Sequence, residues 1–450
     1  MSEKRLRAQE SEIVQDIVKG SRISRRGLFY VSAAGAAGLA GGHLAAGAAG
    51  GSGVAPTGTA QANGPVVKDT SKVMGIGGAN YTGRWFDFDT FMTPIEKFYI
   101  RNHYPSPRLE THDVLKPENW SLKIHGASVE NPVELTYDDI LKMPSRTIVA
   151  TMECHGNGRT LFWEQQGMED VSGGNWGLGA VGQAEWKYVP MSEIFSKVGL
   201  KADAKEVLFW SGVDGDDMGR PMPVADIMER PDDIGLAYQM NGVDLPMDHG
   251  YPVRALVPGW GGTASIKWLR DIRVEPHRFW TRLNVLAEAF IGPEYEPDTP
   301  SDDDEFLTGV TKEDVRGHMV RWMNPKSTLT VPLFLRDSSP PQNYPLEVDE
   351  MPRVDAGQQT MRGYAWAPHG VDYVDYRING GEWQRAQVQE PNLGRYTWIR
   401  FEFPWWASEG EHVIETRATD KQGNRQPAEV PFNELGMANN AIPKFRIRAA

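Results

Sequence analysis

Cys154 is the only cysteine among the 450 residues of the chain, and it lies in the segment Thr-Met-Glu-Cys-His-Gly-Asn-Gly-Arg, Thr151–Arg159. A single thiol excludes a disulfide within the chain, a zinc site of paired cysteines, an iron–sulfur cluster and a CxxCH haem attachment. Three roles remain: a small buried apolar side chain, a covalent nucleophile, or one soft ligand to a metal held mainly by another group. The neighbouring residues favour the metal ligand.

Cationic side chains, histidines and glycines occur beside apolar residues in four segments, Phe98–His103, Cys154–Arg159, Asp248–Arg254 and Ser265–Trp268. Each segment alone is a weak signal, because an arginine at a strand end is usually an ion-pair partner and a lone histidine is usually a core residue. Together they supply cations and backbone donors suited to a phosphate-bearing cofactor and an oxyanion substrate.

A glycine-rich segment, Gly173–Gly179, lies between two of these clusters. It lacks both the Lys-Ser/Thr pair of a phosphate-binding P-loop and a preceding apolar strand, so it does not indicate a nucleotide site. We expect its glycines to let the backbone approach a ligand closely.

The elements that must position these residues mix strands and short helices without a regular βαβ order, which predicts an α+β domain. Apolar and polar residues alternate in Trp120–His125 and in Ser265–Glu275, and this pattern indicates two half-buried strands. Short helices are expected at Tyr137–Lys142 and Met191–Val198.

After about Pro325 the pattern becomes all-β. Apolar residues alternate with charged ones in Ile399–Phe403, and Asn379-Gly380-Gly381 predicts a hairpin turn between Val371–Ile378 and Trp383–Val388. A further turn is expected in Asp420–Pro427. About six or seven short strands in this stretch predict an immunoglobulin-like sandwich.

The N-terminal residues resemble an export signal. Ser24–Phe29 carries a twin arginine, an Ala- and Gly-rich run follows to about Gly50, and Ala60–Ala62 offers a small-residue cleavage site. The run is too weakly apolar, and interrupted by His43, to predict a membrane span. Residues 1–62 are therefore predicted to be a twin-arginine signal peptide, which predicts a periplasmic protein.

The chain is acidic. Its formal net charge is −13, and because residues 1–62 carry seven Lys and Arg but four Asp and Glu, the remainder has a charge of −16. Such a balance argues against nucleic acid and anionic lipid as partners, and it would suit a basic protein partner.

The charged segments, taken in order, resemble the sulfite oxidase family of molybdenum enzymes. The matching stretches run from about residue 90 to the C-terminus. They are Phe-Tyr-Ile-Arg-Asn-His, Cys-x-Gly-Asn-x-Arg, Leu236–Gly242, Asp-His-Gly-Tyr-Pro-Val-Arg, Ile-Lys-Trp-Leu-Arg, Gly363–Trp366 and the Asn-x-Gln-Pro turn at Asn424–Pro427.

The resemblance implies an α+β molybdopterin-binding domain of the sulfite oxidase fold over residues 63–320, followed by an immunoglobulin-like dimerisation domain over residues 325–450. It also implies a molybdenum–molybdopterin cofactor, with Cys154 as the protein's one ligand to the metal. A thiolate is a soft anionic donor that suits this role.

Site residues are carried over from the same motifs. The resemblance implies that the pterin and its phosphate are held by Tyr99, Ile100, Arg101, Asn102, His103, Asp214, His249, Arg254, Ser265, Ile266 and Lys267. It implies that Arg101, Arg159, Trp176 and Tyr238 surround the substrate, with Tyr238 hydrogen-bonded to the transferred oxygen.

The chain departs from the sulfite oxidase family in two features, one that concerns the electron acceptor and one that concerns the substrate. No haem domain or haem motif is visible in this chain, so a separate c-type cytochrome is expected to take the electrons. Sulfite oxidases place an arginine after an Asn-Leu pair near the C-terminus, whereas Asn433–Met437 contains no arginine. Within the family, the chain is most similar to the molybdenum subunit of sulfane dehydrogenases.

That similarity implies a cysteine persulfide on a carrier protein as substrate, a dihaem cytochrome subunit as partner, a role in thiosulfate oxidation, and association through the C-terminal domain. The main alternative is a periplasmic dehydrogenase of free sulfite. A molybdenum enzyme that reduces an oxide and a non-enzymatic immunoglobulin-like scaffold are the further alternatives. The all-β C-terminal half argues against the oxide-reducing enzyme, and the clustered arginines argue against the non-enzymatic scaffold.

Overall fold

The computed structural model describes residues 66–213, 218–330 and 352–450. The predicted signal peptide and Asp214 lie outside the described residues. None of the described helices is long and apolar enough to cross a bilayer.

The N-terminal part of the fold contains two five-stranded sheets, preceded by the hairpin β1–β2 (Val73–Gly77, Asn80–Gly83). The strands up to the end of this part are β3 (Ser121–His125), β4 (Val133–Thr136), β5 (Arg146–Glu153), β6 (Val181–Pro190), β7 (Glu206–Trp210), β8 (Gly219–Pro223), β9 (Gly235–Met240), β10 (Val243–Asp244), β11 (Arg254–Leu256) and β12 (Asp271–Glu275).

One sheet has the order β10-β9-β6-β5, with β11 also paired to β9, and all of its pairs are antiparallel. The other has the order β4-β3-β12-β7-β8, in which only the β3–β12 pair is parallel. Neither sheet follows a repeating βαβ order, which agrees with the α+β prediction.

The described residues contain four short α-helices, α1 (Tyr137–Lys142), α2 (Leu161–Gln166), α3 (Met191–Val198) and α4 (Val224–Met228), and a π-helical turn spans Leu283–Ala287. The predicted bounds of α1 and α3 are confirmed. Thr136 and Asp139 form a capping box that starts α1. In α3 the apolar positions at helical spacing bury one face, and Gly199, with φ +68°, ends the helix.

The predicted strand Ser265–Glu275 is only half correct, because β12 begins at Asp271. Before it the chain turns irregularly, and Trp268 has a φ of +53°. The backbone there is used by other partners: the carbonyl of Ser265 accepts from Arg254, and the N–H of Leu269 donates to Val253. This irregular path leaves Ser265–Lys267 at the edge of a cleft.

Short two-stranded pieces connect the two halves of the chain: β13 (Phe279–Trp280) pairs with β15 (Glu305–Phe306), and β14 (Ala289–Phe290) pairs with β16 (His318–Met319). The C-terminal strands are β17 (Lys326–Leu329), β18 (Arg353–Val354), β19 (Gly357–Trp366), β20 (Val371–Ile378), β21 (Gln384–Arg385), β22 (Gln387–Gln389), β23 (Ile399–Ala407), β24 (Gly410–Asp420) and β25 (Lys444–Ala449).

These nine strands form a sheet of order β17-β19-β23-β22 and a second of order β18-β25-β24-β20-β21. One apolar core lies between the two sheets and includes Val374, Phe401 and Ile447. The all-β sandwich predicted from the sequence is confirmed, with nine described strands where about six or seven were expected. Its hairpin β20–β21 turns at Asn379 and Gly380, which have φ values of +51° and +71°, as a tight turn between twisted strands requires.

The two parts of the chain share an aromatic-rich core cluster. It contains Phe88 and Leu178 from the N-terminal part and Tyr364, Trp366 and Trp398 from the sandwich. The hydroxyl of Tyr364 donates to the carbonyl of Thr90 at 2.8 Å. The sandwich therefore packs closely against the sheet that contains β5, the strand directly before Cys154.

Candidate active site

Cys154 follows directly after β5, at the start of a turn that leads into α2. Its side chain is 3% exposed and its backbone N–H donates to the carbonyl of Ala180 at 2.9 Å. The backbone N–H of Gly156 points at the Cys154 sulfur, with an N–S distance of 3.4 Å. Burial and the carboxylate of Glu288 raise the pKa of the thiol, while Arg101 and Arg159 oppose that shift.

Two clefts meet at Cys154, which lines both of them together with Arg101. The first encloses about 610 Å³ and the second about 750 Å³, counting the parts open to solvent. The guanidinium of Arg101 is held by the carbonyl of Asn102 at 2.7 Å and lies 3.3 Å from His103 Nε2. A group seated in one cleft would therefore adjoin a molecule in the other at the thiol.

The first cleft gathers most of the residues predicted to hold the pterin and its phosphate. It is lined by Tyr99, Arg101, His103, Cys154, His249, Arg254, Ser265, Ile266 and Lys267, together with Phe98, Met152, Met218, Asp248, Gly262, Thr263 and Leu283. Met152, Met218, Thr263 and Leu283 of this second set were not predicted, because they share neither charge nor a regular spacing in the sequence.

Two basic side chains line this cleft, the half-buried Lys267 and the buried Arg254. The ammonium of Lys267 donates to the side-chain oxygen of Asn102 and, at 2.9 Å, to the carbonyl of Asp248. The guanidinium of Arg254 donates to the carbonyls of His249 at 2.8 Å and Ser265 at 2.7 Å. Burial lowers the pKa of Arg254 to about 10 and holds that of Lys267 well below its usual value, with Arg254 adding to the second shift.

His249 adds an unused polar atom to the cleft. Its ring is buried, and its Nε2 has no hydrogen-bond partner among the described residues. Burial and the nearby cations Lys68, Lys267 and Arg254 hold the pKa of His249 well below its usual value. The basic side chains of Arg254 and Lys267 and an unpaired imidazole nitrogen fit a ligand that carries a phosphate and further hydrogen-bonding groups, as a pterin cofactor does.

Three residues predicted to hold the cofactor are placed differently. Ile100 does not line the cleft: its side chain is in a core cluster with Val66 and Ala79, and its backbone pairs with Tyr81 in both directions. Asn102 does not line the cleft itself, but its side-chain oxygen accepts from the ammonium of Lys267, which does. Asp214 lies outside the described residues, and its assignment stays a prediction.

The second cleft contains three of the four predicted substrate residues, Arg101, Arg159 and Trp176. Arg159 is 4% exposed, and its donors reach the carbonyls of Leu435 at 3.0 Å and Gly174 at 2.9 Å and the sulfur of Met437 at 3.5 Å. Burial lowers the pKa of Arg159. All three of these acceptors are uncharged, and the cleft wall also contains the carboxylate of Glu288, which is paired with His155.

Tyr238 does not belong to either cleft. Its ring is buried on β9 in the main core with Leu236 and Val253, and the ammonium of Lys187 lies 5.5 Å from the ring centre. The prediction that Tyr238 contacts the transferred oxygen is wrong. The motif Leu-Ala-Tyr-Gln-Met-Asn-Gly alternates as a strand, and this tyrosine is on the inward face of that strand.

Sequence analysis missed the pair His155–Glu288. The Nδ1 of His155 lies 2.6 Å from a Glu288 oxygen, and both side chains are 3% exposed. Although burial alone would raise it, the pKa of Glu288 is lowered to about 2 by its hydrogen bond to His155 and by Arg220. Because 133 residues separate the two, no local pattern could have indicated the pair. The wall of the second cleft also includes four apolar side chains that were not predicted, Ile76, Leu286, Leu435 and Met437.

Comparisons with known proteins agree with this site. Residues 108–282 match the model of the oxidoreductase molybdopterin binding domain, and residues 339–450 match that of the Mo-co oxidoreductase dimerisation domain. The mitochondrial sulfite oxidase of Drosophila melanogaster is 29% identical over 380 residues, which cover 80% of this chain and 60% of that protein. The NADH nitrate reductase of Ulva prolifera is 30% identical over 382 residues, covering 80% and 40%.

The chain thus spans about three fifths of the length of the mitochondrial sulfite oxidases that it matches. Among solved structures, the sulfane dehydrogenase SoxCD from Paracoccus pantotrophus superposes with a TM-score of 0.65 and 25% identity, over 82% of this chain and 84% of that one. Both domains, their order and the cleft chemistry therefore agree, and the chain belongs to the sulfite oxidase family of molybdopterin-binding oxidoreductases.

Proposed function

We propose that this protein oxidises the outer sulfur of a cysteine persulfide, carried by another protein, to the level of a sulfonate. The observation that carries this proposal is the composition of the second cleft. Two guanidinium groups, of Arg101 and Arg159, lie near Cys154, and one wall contains Leu435 and Met437. The carboxylate of Glu288 in the same cleft is paired with His155, so the two guanidinium groups and the apolar wall suit an anionic sulfur on an uncharged stem.

The two arginines bind and orient the anionic sulfur. The guanidinium of Arg159 is fixed by the carbonyls of Gly174 and Leu435, so it is already in place when the substrate enters. Preorganised donors of this kind contribute about 3 kcal/mol each to stabilising developing oxyanion charge. Arg101, which lines both clefts, links the substrate to the cofactor cleft.

Met437 supports a carrier-bound sulfur over a free dianion. It contacts Arg159 in the stretch where sulfite oxidases, by the resemblance described above, carry an arginine. One cation fewer weakens the binding of a free dianion such as sulfite. The apolar side chains of Trp176 and Leu286 on the same cleft would pack against the uncharged atoms of a persulfide side chain.

The proposed reaction balances with water as the oxygen source. Each oxygen atom added to the sulfur comes from water and releases two protons and two electrons, and three additions convert the terminal persulfide sulfur to a sulfonate. The molybdenum group held at Cys154 would supply oxygen transfer and accept electrons in pairs. A c-type cytochrome, which we propose as the partner subunit, would carry these electrons away.

Cofactor binding is assigned to the first cleft. Lys267 and Arg254 would neutralise the phosphate, and the free nitrogen of His249 would bond a polar group of the pterin. We further propose twin-arginine export to the periplasm, on the leader sequence of residues 1–62, and self-association through the domain that matches the dimerisation model. The proposal of a partner cytochrome rests on the family resemblance described above, and the likeness to the sulfane dehydrogenase SoxCD is consistent with it.

The test uses the purified protein with a c-type cytochrome as electron acceptor. We expect rapid reduction of the cytochrome with a carrier protein loaded with persulfide, and slow reduction with free sulfite. Omitting the persulfide from the carrier is the control. Fast turnover of free sulfite without any response to the loaded carrier would contradict the proposal.

Oxidation of free sulfite is the second candidate. It is favoured by the 29% identity with a mitochondrial sulfite oxidase over 80% of this chain. Arg159→Gln separates the candidates poorly, since both substrates are anions. Met437→Arg separates them better: for a sulfane dehydrogenase we expect it to increase turnover of sulfite and decrease that of the loaded carrier.

A further inference from the structure

The residues around Cys154 are held from one side by the C-terminal sandwich. We define residues 153–159 as the thiol loop, which starts at the end of β5. Its first residue, Glu153, is buried, and it lies next to Cys154 in the chain. Side chains from β17 and β19, both strands of the sandwich, contact it.

The carboxylate of Glu153 has three partners, one ion pair and two hydrogen bonds. The ammonium of Lys326 on β17 lies 2.7 Å from one oxygen, and the indole N–H of Trp366 on β19 donates to the other at 2.9 Å. The side-chain amide of Asn157, within the thiol loop itself, donates at 2.9 Å. The side chains of Lys326 and Glu153 are 2% and 4% exposed, so this ion pair is shielded from water.

Lys326 also contacts the thiol loop beyond Cys154. Its ammonium donates to the carbonyl of Asn157 at 2.7 Å, so one side chain contacts the residues on both sides of Cys154. The backbone N–H of Ala438 donates to the carbonyl of His155 at 2.6 Å. Gly158 leaves no space for a Cβ, because such an atom would lie 2.8 Å from the carbonyl oxygen of Asn439.

Removing Lys326 would leave the carboxylate of Glu153 without its counter-charge, and removing Trp366 would leave it without one hydrogen bond. A carboxylate buried at low dielectric is costly unless it is neutralised and hydrogen-bonded. Without Lys326, Glu153 would gain by moving toward water, and Cys154, as the next residue, would move with it. The bond between the thiolate and a metal tolerates only small displacements of the sulfur.

We propose that Lys326 and Trp366 are positioning residues for the active-site thiol, so that the C-terminal domain completes the cofactor site of the N-terminal domain. The proposal rests on the role of Cys154 as the metal ligand. It does not depend on which sulfur compound the protein oxidises.

The test measures how often Cys154 leaves the metal. Because the chain has one cysteine, iodoacetamide can alkylate only Cys154, and a metal-bound thiolate is protected. The full-length holoprotein is incubated with iodoacetamide well below its unfolding temperature, and the modified fraction is followed by mass spectrometry. For Lys326→Met we expect alkylation to be faster by about tenfold or more, with altered g-values of the Mo(V) electron paramagnetic resonance signal.

Arg417→Met is the matched control. Arg417 pairs with Asp375 at 3.2 Å in the other sheet of the sandwich, so this variant also breaks an ion pair of the same domain. We expect its alkylation rate to stay within about twofold of the wild type. A folded Lys326→Met protein that retains no molybdenum, while Arg417→Met retains it, would also support the proposal. Equal alkylation rates and unchanged g-values in Lys326→Met would overturn it.

If Lys326→Met does not fold, Trp366→Phe decides by the same measurements, because it keeps an aromatic ring and removes only the N–H that bonds Glu153. The experiment uses no sulfur substrate, so its result is independent of the proposed reaction. Rapid alkylation of the wild-type holoprotein would reject the ligand role of Cys154 itself. A protected wild type with unchanged variants would reject only the positioning role.

Discussion

At the scale of single residues, Cys154 depends on its surroundings for its charge. Burial and Glu288 raise the pKa of the thiol, which opposes formation of a thiolate in the polypeptide alone. A metal ion reverses that balance, since it binds the thiolate and releases the proton. Arg101 and Arg159 act in the same direction as the metal.

Cys154→Ser should keep the fold and abolish turnover, because serine has nearly the same size but is a poor ligand for a soft site. X-ray absorption at the molybdenum edge should show one sulfur neighbour fewer than in the wild type. Circular dichroism provides the control for folding. Turnover near the wild-type rate would contradict the role of Cys154 as a ligand.

The lowered pKa of Lys68 predicts that the stability of the folded protein depends on pH. Its ammonium contacts the carbonyls of Ile95 and Phe98, and burial lowers its pKa to about 7. Between about pH 7 and 10 the unfolded chain therefore binds this proton more tightly than the folded protein, so stability rises with pH in that window. One such group contributes about 1.4 kcal/mol per pH unit.

We expect Lys68→Met to remove this contribution, so that the free energy of unfolding of the wild type falls relative to the variant as the pH is lowered from about 9 to 7. Urea unfolding of both proteins at several pH values measures the difference. Parallel pH profiles of the two proteins would show that Lys68 is not desolvated in the folded state.

At the scale of elements, the glycine-rich segment Gly173–Gly179 works through close approach. A Cβ on Gly179 would lie 1.8 Å from the carbonyl oxygen of Gly83 on β2, and a Cβ on Gly173 would lie 2.8 Å from the guanidinium carbon of Arg159. The segment is thus packed between the N-terminal hairpin and the guanidinium of Arg159. Its glycines serve packing of the protein itself, in addition to lining the second cleft.

Gly179→Ala should lower the free energy of unfolding by about 2 kcal/mol or more, because backbone must move to admit the methyl group. Gly174→Ala in the same segment is the control: a Cβ there meets its nearest neighbour, Ile76, at 3.5 Å, which is ordinary contact. Chemical unfolding of both variants measures the difference. An equal decrease in the free energy of unfolding of both variants would contradict this prediction, because it would mean that the close contact at Gly179 is not what costs stability.

At the scale of the whole molecule, the sandwich has one face against the active-site domain and another exposed. Trp398 and Trp366 are buried at the internal contact, whereas Trp406 on β23 is 75% exposed. A tryptophan that is so exposed is unusual for a surface strand, and aromatic anchors are frequent in protein interfaces. This residue is therefore our candidate for the centre of the proposed self-association surface.

Trp406→Ser should weaken self-association by about 2 kcal/mol, or about 30-fold in the dissociation constant. Analytical ultracentrifugation over a range of concentrations measures this change. Met228→Ser provides a control, because Met228 is also exposed, at 54%, but lies in the N-terminal part of the fold. An equal change in both variants, or none in Trp406→Ser, would exclude Trp406 from the interface.

Local sequence determined the elements and the chemical types at the site. The capping residues of α1, the apolar spacing of α3 and the Asn-Gly turn of β20–β21 act over a few residues, so they could be predicted from the chain itself. The motifs likewise identified Cys154, Arg101, Arg159 and Trp176, because the residue types and their neighbours are visible in the sequence.

Only the tertiary structure decided which side chains meet. It placed Tyr238 in the core and paired the backbone of Ile100 with Tyr81. It also brought Glu288 to His155 and Met437 to Arg159 across 133 and 278 residues of chain. Such contacts depend on how separate sheets pack, and periodicity reports only which face of an element is apolar. The physical reason is that local patterns encode the faces of elements, whereas a cleft is formed where several faces converge.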